Sequence, residues 1–373
     1  MPSSKKSKSL VKKLFKQADV EIDGTRPWDI RVINDALYDR MIQSKNLGLG
    51  EAYMDGWWEC DTIDKLVHRL LGARVDRSVS GNIAYIMPYI SARLFNRQTK
   101  TRSREVADRH YDLDNDLFFT FLDMHYQYSC AYFNGTDDLN QAQERKLELI
   151  CRKLDLQEGD RVLDIGCGWG GLARYMAEHY GVSVTAINIS KNQIDYAREY
   201  CRGYPVEVRY QDYRNIGEQY DKVVSVGMFE HVGYKNYPVF MKTVERILAD
   251  DGLFLLHTIG GNISGINTDV WIEKYIFPNG MLPSIAQISS AVEGLFVIED
   301  WHNMGPHYDR TLMAWNRNFQ ENWHRLNGRY DLTFKRMWEY YLLSCAGAFR
   351  ARHIQLWQIL FSKCGRVQPL CRF

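Results

Sequence analysis

A glycine-rich segment with one carboxylate is the strongest sign of chemistry in the sequence. The segment is Asp164-Ile-Gly-Cys-Gly-Trp-Gly-Gly171, and it lies between a predicted buried strand and a predicted helix. Glycines let the backbone turn sharply and approach a ligand at a helix N-terminus, where N–H groups lack partners. Gly166, Gly168 and Gly170 fit G-x-G-x-G, and with Gly171 as the third glycine the segment also fits G-x-G-x-x-G. The spacing therefore does not separate S-adenosylmethionine from a dinucleotide. Asp164 favours S-adenosylmethionine, because the amino-acid end of that molecule carries an ammonium group.

The second predicted strand ends without the acid that an adenosine site ordinarily presents to the ribose hydroxyls. We expect Asn188, Ser190 and Gln193 to bind the cofactor there instead. As an alternative, Ser190 and Gln193 form a capping box that satisfies the first N–H groups of a helix, and both roles can hold. Asp212 and Tyr213 follow the third strand and are expected to bind the adenine, with a simple turn acid as the alternative.

Polar residues also follow the later strands, where open α/β sheets bind ligands. Glu230 and His231 come after the fourth predicted strand, and His257 ends the fifth. A single histidine on an apolar strand is more often a hydrogen-bonded core residue than a catalyst, so these positions alone leave its role open. Cys130 and Cys345 lie in apolar stretches, where cysteine is ordinarily a small buried hydrophobe.

Strand, turn and helix alternate beyond residue 161, a pattern that builds a mostly parallel sheet with helices on both faces. Strands are predicted at 161–165, 182–189, 206–210, 222–226, 253–258, 295–299 and 311–315. The last two are close in sequence and predict an antiparallel hairpin at one edge of the sheet. The stretch 334–361 is rich in aromatic residues and is predicted to be helical.

The chain of 373 residues suits one large domain with an appendage, or two modest domains. Residues 96–104 are polar and basic and have the composition of a linker. We therefore predict an N-terminal accessory domain over 1–95, a linker over 96–107 and a catalytic domain over 108–373.

Charge and cysteine content exclude several classes of protein. A net charge of +1 gives no global field that would attract nucleic acid. The eight cysteines are dispersed, with no CxxC pair and no zinc-type spacing, so we expect reduced thiols in a cytoplasmic protein and no metal site. No apolar run approaches the roughly 18 residues of a membrane span, and the N-terminus lacks the apolar core of an export signal.

Residues 9–18 predict a short amphipathic helix with a basic side. Apolar residues recur at helical spacing while lysines face elsewhere: Leu10, Val11, Leu14, Phe15 and Ala18 against Lys12, Lys13 and Lys16. One interpretation is attraction to an anionic membrane surface, helped by Lys5, Lys6 and Lys8. The other is a helix that docks on its own domain and leaves a solvated basic face.

Taken together, the motifs resemble those of the bacterial cyclopropane-fatty-acyl-phospholipid synthases over nearly the whole chain. The matching stretches are Gly48-Leu-Gly-Glu-Ala-Tyr-Met-Asp-Gly-Trp-Trp-Glu59, His110-Tyr-Asp112, Tyr128-Ser-Cys-Ala-Tyr132, Val162 to Gly171, Ser225-Val-Gly-Met-Phe-Glu-His-Val-Gly233, Lys274-Tyr-Ile-Phe-Pro-Asn-Gly280 and Ala346-Gly-Ala-Phe-Arg350. The resemblance implies a Rossmann-like S-adenosylmethionine-dependent methyltransferase fold. It also implies methylene transfer to the cis double bond of an unsaturated acyl chain in a membrane phospholipid.

The resemblance further assigns roles to individual residues. It implies a bicarbonate ion that serves as the base, held by Cys130, Glu230, His257, the backbone of Ile259 and Tyr308. It also implies that Cys345 is important, and it adds Tyr128 and Ser129 to the cofactor-binding residues. A homodimer that associates peripherally with the inner face of the cell membrane is expected on the same grounds.

This chemistry gives a use to the aromatic residues, which make up 13% of the chain. Methyl transfer to an alkene leaves a carbocation, and electron-rich ring faces stabilise a cation. Two alternatives stay open. One is an O- or N-methyltransferase of the same fold, and the other, from a different functional class, is a non-catalytic module that binds lipid surfaces. A mycolic-acid-type enzyme belongs to the same broader family, but the long N-terminal segment with Gly56-Trp-Trp58 favours the phospholipid branch.

Overall fold

The structure, a computed structural model, describes residues 4–75, 114–265, 268–326 and 328–373. The predicted linker 96–107 and the His110-Tyr-Asp112 motif lie outside these residues. The helices are α1 Ser4–Gln17, α2 Ala36–Met54, α3 Ile63–Gly72, α4 Asn115–Phe119, α5 Leu139–Lys153, α6 Gly171–Tyr180, α7 Lys191–Tyr200, α8 Tyr237–Ile247, α9 Val270–Tyr275, α10 Ile285–Val292, α11 Gly305–Asn322 and α12 Leu332–Arg350. The strands are β1 Arg31–Val32, β2 Trp58–Glu59, β3 Arg161–Ile165, β4 Ser183–Asn188, β5 Val206–Tyr210, β6 Tyr220–Val226, β7 Leu248–Gly261, β8 Val297–Asn303 and β9 Ile354–Ser362.

A seven-stranded sheet in the order β5-β4-β3-β6-β7-β9-β8 forms the centre of the C-terminal part of the chain. The first five strands of this order pair in parallel, whereas β9 pairs antiparallel with both β7 and β8. Buried apolar clusters cover both faces of the sheet. The strand order reverses next to β3, and in such folds ligands bind at the carboxyl ends of the strands near that point.

The predicted strands match the structure as far as β8, with ends that differ by a few residues. The strand predicted at 311–315 is wrong, because those residues lie inside α11. Leu312, Trp315 and Phe319 are buried there at helical spacing, so the apolar period is that of a helix.

The helix predicted over 334–361 is correct only in its first part. Helix α12 ends at Arg350, Arg352 takes a left-handed φ of 57°, and the chain then enters β9. Since β9 is buried between two other strands, its residues form an apolar run without alternation, which hydropathy alone does not separate from a buried helix. The antiparallel edge is present, but β9 inserted between β7 and β8 forms it, rather than a hairpin of sequence neighbours.

The N-terminal helix docks on its own part of the chain. Val11 and Phe15 are buried, and α1 packs on α2. Leu10 is exposed, as are five lysines, Lys5, Lys6, Lys12, Lys13 and Lys16. The exposed basic face remains available for a further contact. In the described part of the chain, no helix is long and apolar enough to cross a membrane.

The N-terminal elements share one apolar core with the C-terminal helices, since α2 and α3 both pack on α12. Gly347 lies where α12 meets α3, and a Cβ atom there would approach the carbonyl oxygen of Asp64 to 2.5 Å. The guanidinium of Arg350 donates to the carboxylates of Asp64 and Asp309, with distances of 2.8 and 2.9 Å to Asp309. This helix contact therefore combines close backbone approach with an ion pair that joins the two parts.

We expect Gly347→Ala to destabilise the fold, because the added methyl group would force α3 and α12 apart. The expected loss in the free energy of unfolding is about 1–3 kcal/mol, as for other overpacked cores. Gly72→Ala is the matched control, since a Cβ atom at this α3 position meets no described atom within 4 Å. Urea denaturation followed by circular dichroism measures both variants. Equal stability of the two variants would contradict the close contact.

Candidate active site

A cleft opens at the carboxyl ends of β3, β4 and β6, the place expected for a ligand in this topology. The glycine-rich segment forms its floor, and Tyr128, Ser129, Asn188, Gln193, Asp212, Tyr213, His231 and Asn279 are among the residues that line it. Most of the predicted cofactor-binding residues therefore meet in one cleft. Ser190 and Gly170 lie beside it but are not among the described residues that line it.

Two glycines of the turn are required by close contacts. Gly166 has a φ of 87°, and a Cβ atom there would lie 2.7 Å from the Cβ atom of Met228. A Cβ atom on Gly171 would lie 1.9 Å from the carbonyl oxygen of His125. Glycine at these positions lets β3 turn directly into α6, which brings the N-terminus of that helix to the cleft.

Asp164 is the residue before the last of β3, and it is almost completely buried, with 2% of its surface exposed. Its Oδ2 atom has no hydrogen-bond partner among the described residues. Burial raises the pKa of Asp164 to about 7, and the nearby Lys146 ammonium opposes this rise. A buried carboxylate oxygen without a partner fits a ligand that brings its own cation, such as the ammonium group of an amino acid.

At the end of β4 the two expected roles are divided between different residues. The Oγ atom of Ser190 accepts from the backbone N–H of Gln193 at 3.5 Å, which is the N-cap of α7. The Gln193 side chain does not complete a capping box, since its Oε1 accepts from Asn188 Nδ2 at 2.8 Å. Asn188 and Gln193 thus form a hydrogen-bonded pair of amides that lines the cleft.

Asp212 combines the two interpretations that the sequence left open. Its carboxylate accepts from the Arg214 backbone N–H at 3.0 Å and from the Arg214 guanidinium at 2.8 and 2.7 Å. It is therefore a turn acid, yet both Asp212 and Tyr213 line the cleft.

The predicted catalytic residues are not among the described residues that line this cleft, but two of them are sequence neighbours of lining residues. Cys130 follows the lining residue Ser129, and Glu230 precedes the lining residue His231. The Oε1 atom of Glu230 accepts from the backbone N–H of Ile259 at 2.6 Å, while Oε2 has no described partner. Burial raises the pKa of Glu230 to about 7, and the hydrogen bond from Ile259 opposes this rise.

His257 lies on β7, two residues before Ile259 and on the same face of the sheet. Its Nδ1 atom is 3.3 Å from Nε2 of Gln358 on β9, and its Nε2 atom has no described partner. Burial lowers the pKa of His257 well below its usual value, so the imidazole is neutral. With the Gln358 amide donating to Nδ1, the single ring proton is on Nε2, where it is available to an acceptor.

Tyr308 on α11 connects these groups. Burial raises the pKa of its hydroxyl well above the usual value, and the nearby Cys130, Glu230 and Cys345 raise it further. The Cys130 thiol lies 3.9 Å from Thr311 Oγ1, and burial raises its pKa as well. Burial likewise raises the pKa of Cys345 to about 12. Both thiols are therefore neutral and unsuited to act as thiolate nucleophiles.

Aromatic rings form a wall that runs from Tyr128 of the cleft lining through Trp315 to Tyr308. Tyr128 stands 5.3 Å from Trp315 between ring centroids, and its hydroxyl is 2.8 Å from that of Tyr341. Tyr308 and Phe349 are 4.7 Å apart, and Phe277 contacts Tyr341 at 5.9 Å. Such a wall offers ring faces to a cation and keeps water away from it.

The sequence analysis missed several residues of this region, among them Lys146, Gln358, Trp315 and Tyr341. The sequence does contain a signal for Lys146, because this charged residue lies on the apolar stripe of α5 with Ala142, Leu149 and Ile150. Gln358 and Trp315 were hidden because their segments were assigned to the wrong type of element. Among the described residues, no group of three or more histidine, cysteine and acidic side chains could hold a metal ion.

Comparisons with known proteins agree with this geometry. A family model for mycolic acid cyclopropane synthetase matches residues 98–359. The cyclopropane-fatty-acyl-phospholipid synthase of Escherichia coli (strain K12) is 51% identical over 354 residues, which cover 95% of this chain and 93% of that protein. The solved cyclopropane synthase MmaA2 from Mycobacterium tuberculosis is 32% identical, with a TM-score of 0.65, and the match covers 70% of this chain and 98% of that one.

A second solved structure, mycolic acid cyclopropane synthase CmaA1 with SAH and CTAB, gives 33% identity, the same TM-score of 0.65 and the same coverage of 70% and 98%. These neighbours confirm the predicted Rossmann-like fold of S-adenosylmethionine-dependent methyltransferases. The fold, the cleft and the extent of the match together show that this chain belongs to the mycolic acid cyclopropane synthetase family and is a homologue of the cyclopropane-fatty-acyl-phospholipid synthases.

Proposed function

We propose that the protein transfers a methylene group from S-adenosylmethionine to the cis double bond of an unsaturated acyl chain in a membrane phospholipid. The products are a cyclopropane fatty acyl phospholipid and S-adenosylhomocysteine. The observation that carries the proposal is the pair Glu230 and His257, whose buried Oε2 and Nε2 atoms lack described partners. Glu230 lies near Tyr308 of the aromatic wall. Transfer to an oxygen or nitrogen nucleophile would not need a captive base for a proton bound to carbon.

The N-terminal part of the chain favours a phospholipid over a mycolic acid as the substrate. The match to the solved mycolic acid cyclopropane synthase CmaA1 takes up 98% of that protein but only 70% of this chain. The match to the family model begins at residue 98. The phospholipid synthase from Escherichia coli instead matches 95% of this chain. A match of this extent takes in most of residues 1–95. We propose that residues 1–95 form the accessory domain, joined by residues 96–107 to a catalytic domain over 108–373.

The cleft residues would hold and orient the methyl donor, which supplies a methyl group activated by a positive sulfur. Asp164 would take its ammonium group, while Asn188 and Gln193 would bind the ribose. An alkene is a weak nucleophile, so holding it in line with the methyl group can lower the barrier by several kcal/mol. Tyr128, Trp315 and the neighbouring rings would then stabilise the positive charge and exclude water.

Glu230, His257 and Tyr308 fit a small anion that can both donate and accept hydrogen bonds. We propose bicarbonate, which when bound supplies a base strong enough to take a proton from the alkylated chain. Glu230 Oε2 can accept from its hydroxyl group, and His257 Nε2–H and the Tyr308 hydroxyl can donate to its oxygens. Cys130 closes the site as a neutral thiol. Ile259 contributes its N–H to Glu230, and so orients that carboxylate.

We further propose that the protein works in the cytoplasm at the inner face of the cell membrane. The exposed lysines of α1 support a peripheral contact, since each cation near an anionic surface contributes on the order of 1 kcal/mol. The homodimer that the resemblance implies stays a prediction.

Product analysis tests the function directly. The purified protein is incubated with S-adenosylmethionine that carries a labelled methyl group and with vesicles of an unsaturated phospholipid. The acyl chains are then released and analysed by mass spectrometry and proton NMR. A labelled chain that gains one CH2 unit and shows cyclopropane resonances supports the proposal. Label on a head group would indicate an O- or N-methyltransferase, a methyl-branched chain would exclude ring closure, and no transfer would leave a binding module.

We expect Glu230→Gln to reduce turnover about 100-fold or more while donor affinity changes less than about threefold. The amide keeps the shape of the side chain but removes the acceptor charge that would orient the base. Asp164→Asn is the matched contrast, since it should weaken donor binding at least as much as turnover. Isothermal titration with S-adenosylhomocysteine and steady-state kinetics measure the two quantities. Equal losses of affinity and turnover in the Glu230 variant would count against its assignment.

Removal of the exposed charges of Lys12 and Lys13 as a double glutamine variant should weaken binding to anionic vesicles at low salt. The effect should fade at high salt, because screening reduces the attraction in the wild type as well. Lys191→Gln with Lys242→Gln is the matched control, since these lysines are also exposed but lie on the catalytic part. Vesicle co-sedimentation across a salt series gives the partition. An unchanged partition of the α1 variant would show that its basic face does not contact lipid.

A further inference from the structure

Lys146 is a completely buried cation that no step described above uses. It lies on α5 with 0% of its surface exposed, among apolar residues of the helix stripe. Both hydrogen-bond acceptors of its ammonium group are neutral: Gln127 Oε1 at 2.5 Å and Ser129 Oγ at 3.1 Å. A buried charge is costly unless something nearby compensates it, so a lysine at this position calls for a reason.

A second lysine on the same helix shows the ordinary solution. Lys153 lies two turns further along α5 and is also buried, with 1% of its surface exposed. Its ammonium group contacts the Asp300 carboxylate at 3.2 Å and His302 Nδ1 at 3.2 Å. Lys146 instead acts on carboxylates only through space: Asp123 and Asp164 counteract the burial that lowers its pKa to about 8.

The contact with Ser129 determines where the hydroxyl proton of that residue points. An ammonium group only donates hydrogen bonds, so Ser129 Oγ must be the acceptor from Lys146. The Ser129 proton is then directed to another acceptor, and this side chain lines the cleft in which Asp164 also stands. Gln143 fixes the backbone of the same segment, because its Nε2 donates to the carbonyl oxygens of Ser129 at 2.9 Å and Gln127 at 3.3 Å.

The charges at this end of the cleft suit a zwitterion. Asp164 offers an unpartnered carboxylate oxygen for an ammonium group, and Lys146 lies near enough to influence its pKa. Arg214 also lines the cleft, but its guanidinium holds both oxygens of Asp212. His231 is neutral, because burial lowers its pKa to about 4. Lys146 is therefore the charge placed to balance an anionic group beside Ser129.

We propose that Lys146 is a positioning residue for the α-carboxylate of the methyl donor. It orients the Ser129 hydroxyl as a donor to that carboxylate and supplies a positive charge directly behind it. The inference rests on the proposed use of S-adenosylmethionine, and it specifies how the amino-acid end is recognised. A purely structural role, in which Lys146 only fixes the segment around Ser129, would affect all ligands of the cleft alike.

A comparison of two donors separates these roles. Decarboxylated S-adenosylmethionine keeps the ammonium, the sulfonium and the adenosine but lacks the carboxylate. We expect the wild type to bind S-adenosylmethionine about tenfold or more tightly than the decarboxylated form, as expected for a charge-assisted hydrogen bond. In Lys146→Met this preference should fall to within about threefold, mostly through weaker binding of S-adenosylmethionine. Isothermal titration in the absence of lipid measures all four affinities.

Two further variants serve as controls. Lys153→Met removes an equally buried ammonium from the same helix and should keep the preference for the carboxylate. Ser129→Ala removes the hydroxyl that Lys146 orients and should lose most of the preference, so the proposal remains testable if Lys146→Met does not fold.

The outcomes are distinct. A Lys146→Met protein that binds both donors more weakly by the same factor would overturn the inference. A wild type that binds the two donors equally, or a Ser129→Ala variant that keeps the wild-type preference for S-adenosylmethionine, would also overturn it. A wild type that binds neither donor would overturn the proposed function itself. Normal donor binding without transfer to lipid would contradict the function but leave the role of Lys146 supported.

Discussion

The central constraint of this structure is the burial of polar atoms that the fold leaves without partners. Asp164 Oδ2, Glu230 Oε2 and His257 Nε2 are all buried and lack partners in the described part of the chain. Each such atom costs about 1–3 kcal/mol, and a charged one costs more. The apolar clusters on both faces of the sheet, and the core that the N-terminal elements share with α12, must stabilise the fold enough to offset this cost. A ligand that completes their hydrogen bonds would recover this energy as binding.

The apolar core that α2 and α3 share with α12 connects the N-terminal part of the chain to the aromatic wall. Helix α12 carries Cys345 and Tyr341 toward the aromatic wall, and its opposite side packs on α2 and α3. Gly347 and Arg350 hold that contact through close approach and through the ion pair with Asp64. The accessory elements thus fix the position of one side of the wall. Helix α1 in turn packs on α2, so packing contacts run from α1 to α12.

Local patterns predicted the parallel half of the sheet well, because each of those strands is a short apolar run followed by a turn. The turn at Asp164 and the cap at Ser190 are also local, so their chemistry was visible in the sequence. The antiparallel edge was not predictable in the same way. Strand β9 is central and buried, and its partners β7 and β8 are distant in sequence. The pairing of His257 with Gln358, which orients the imidazole, depends on that register and on nothing local.

The same limit explains which site residues depended on the resemblance. Glu230 and His257 follow or end predicted strands, so position alone marked them as candidates. Tyr308 and Cys345 lie on helices, and nothing in their spacing distinguishes them from core residues. Only the folded arrangement places Tyr308 within electrostatic reach of Cys130, Glu230 and Cys345. Lys146 shows the reverse case, because a charged residue on an apolar stripe is a signal that the sequence alone already contains.

The two buried carboxylates illustrate how one site can support opposite tasks. Burial raises the pKa of both Asp164 and Glu230 to about 7, so each carboxyl group can be neutral or ionised near neutral pH. Their surroundings differ: Asp164 has the Lys146 ammonium nearby, whereas Glu230 has the Ile259 N–H and an aromatic neighbourhood. An arriving ammonium group would drive Asp164 to the ionised form, which strengthens donor binding. Glu230 would respond to the anion proposed to bind beside it and Tyr308. In the proposed reaction, a direct bond between the carbocation and a carboxylate would give an ester instead of a ring, so ring faces that hold the cation would favour ring closure.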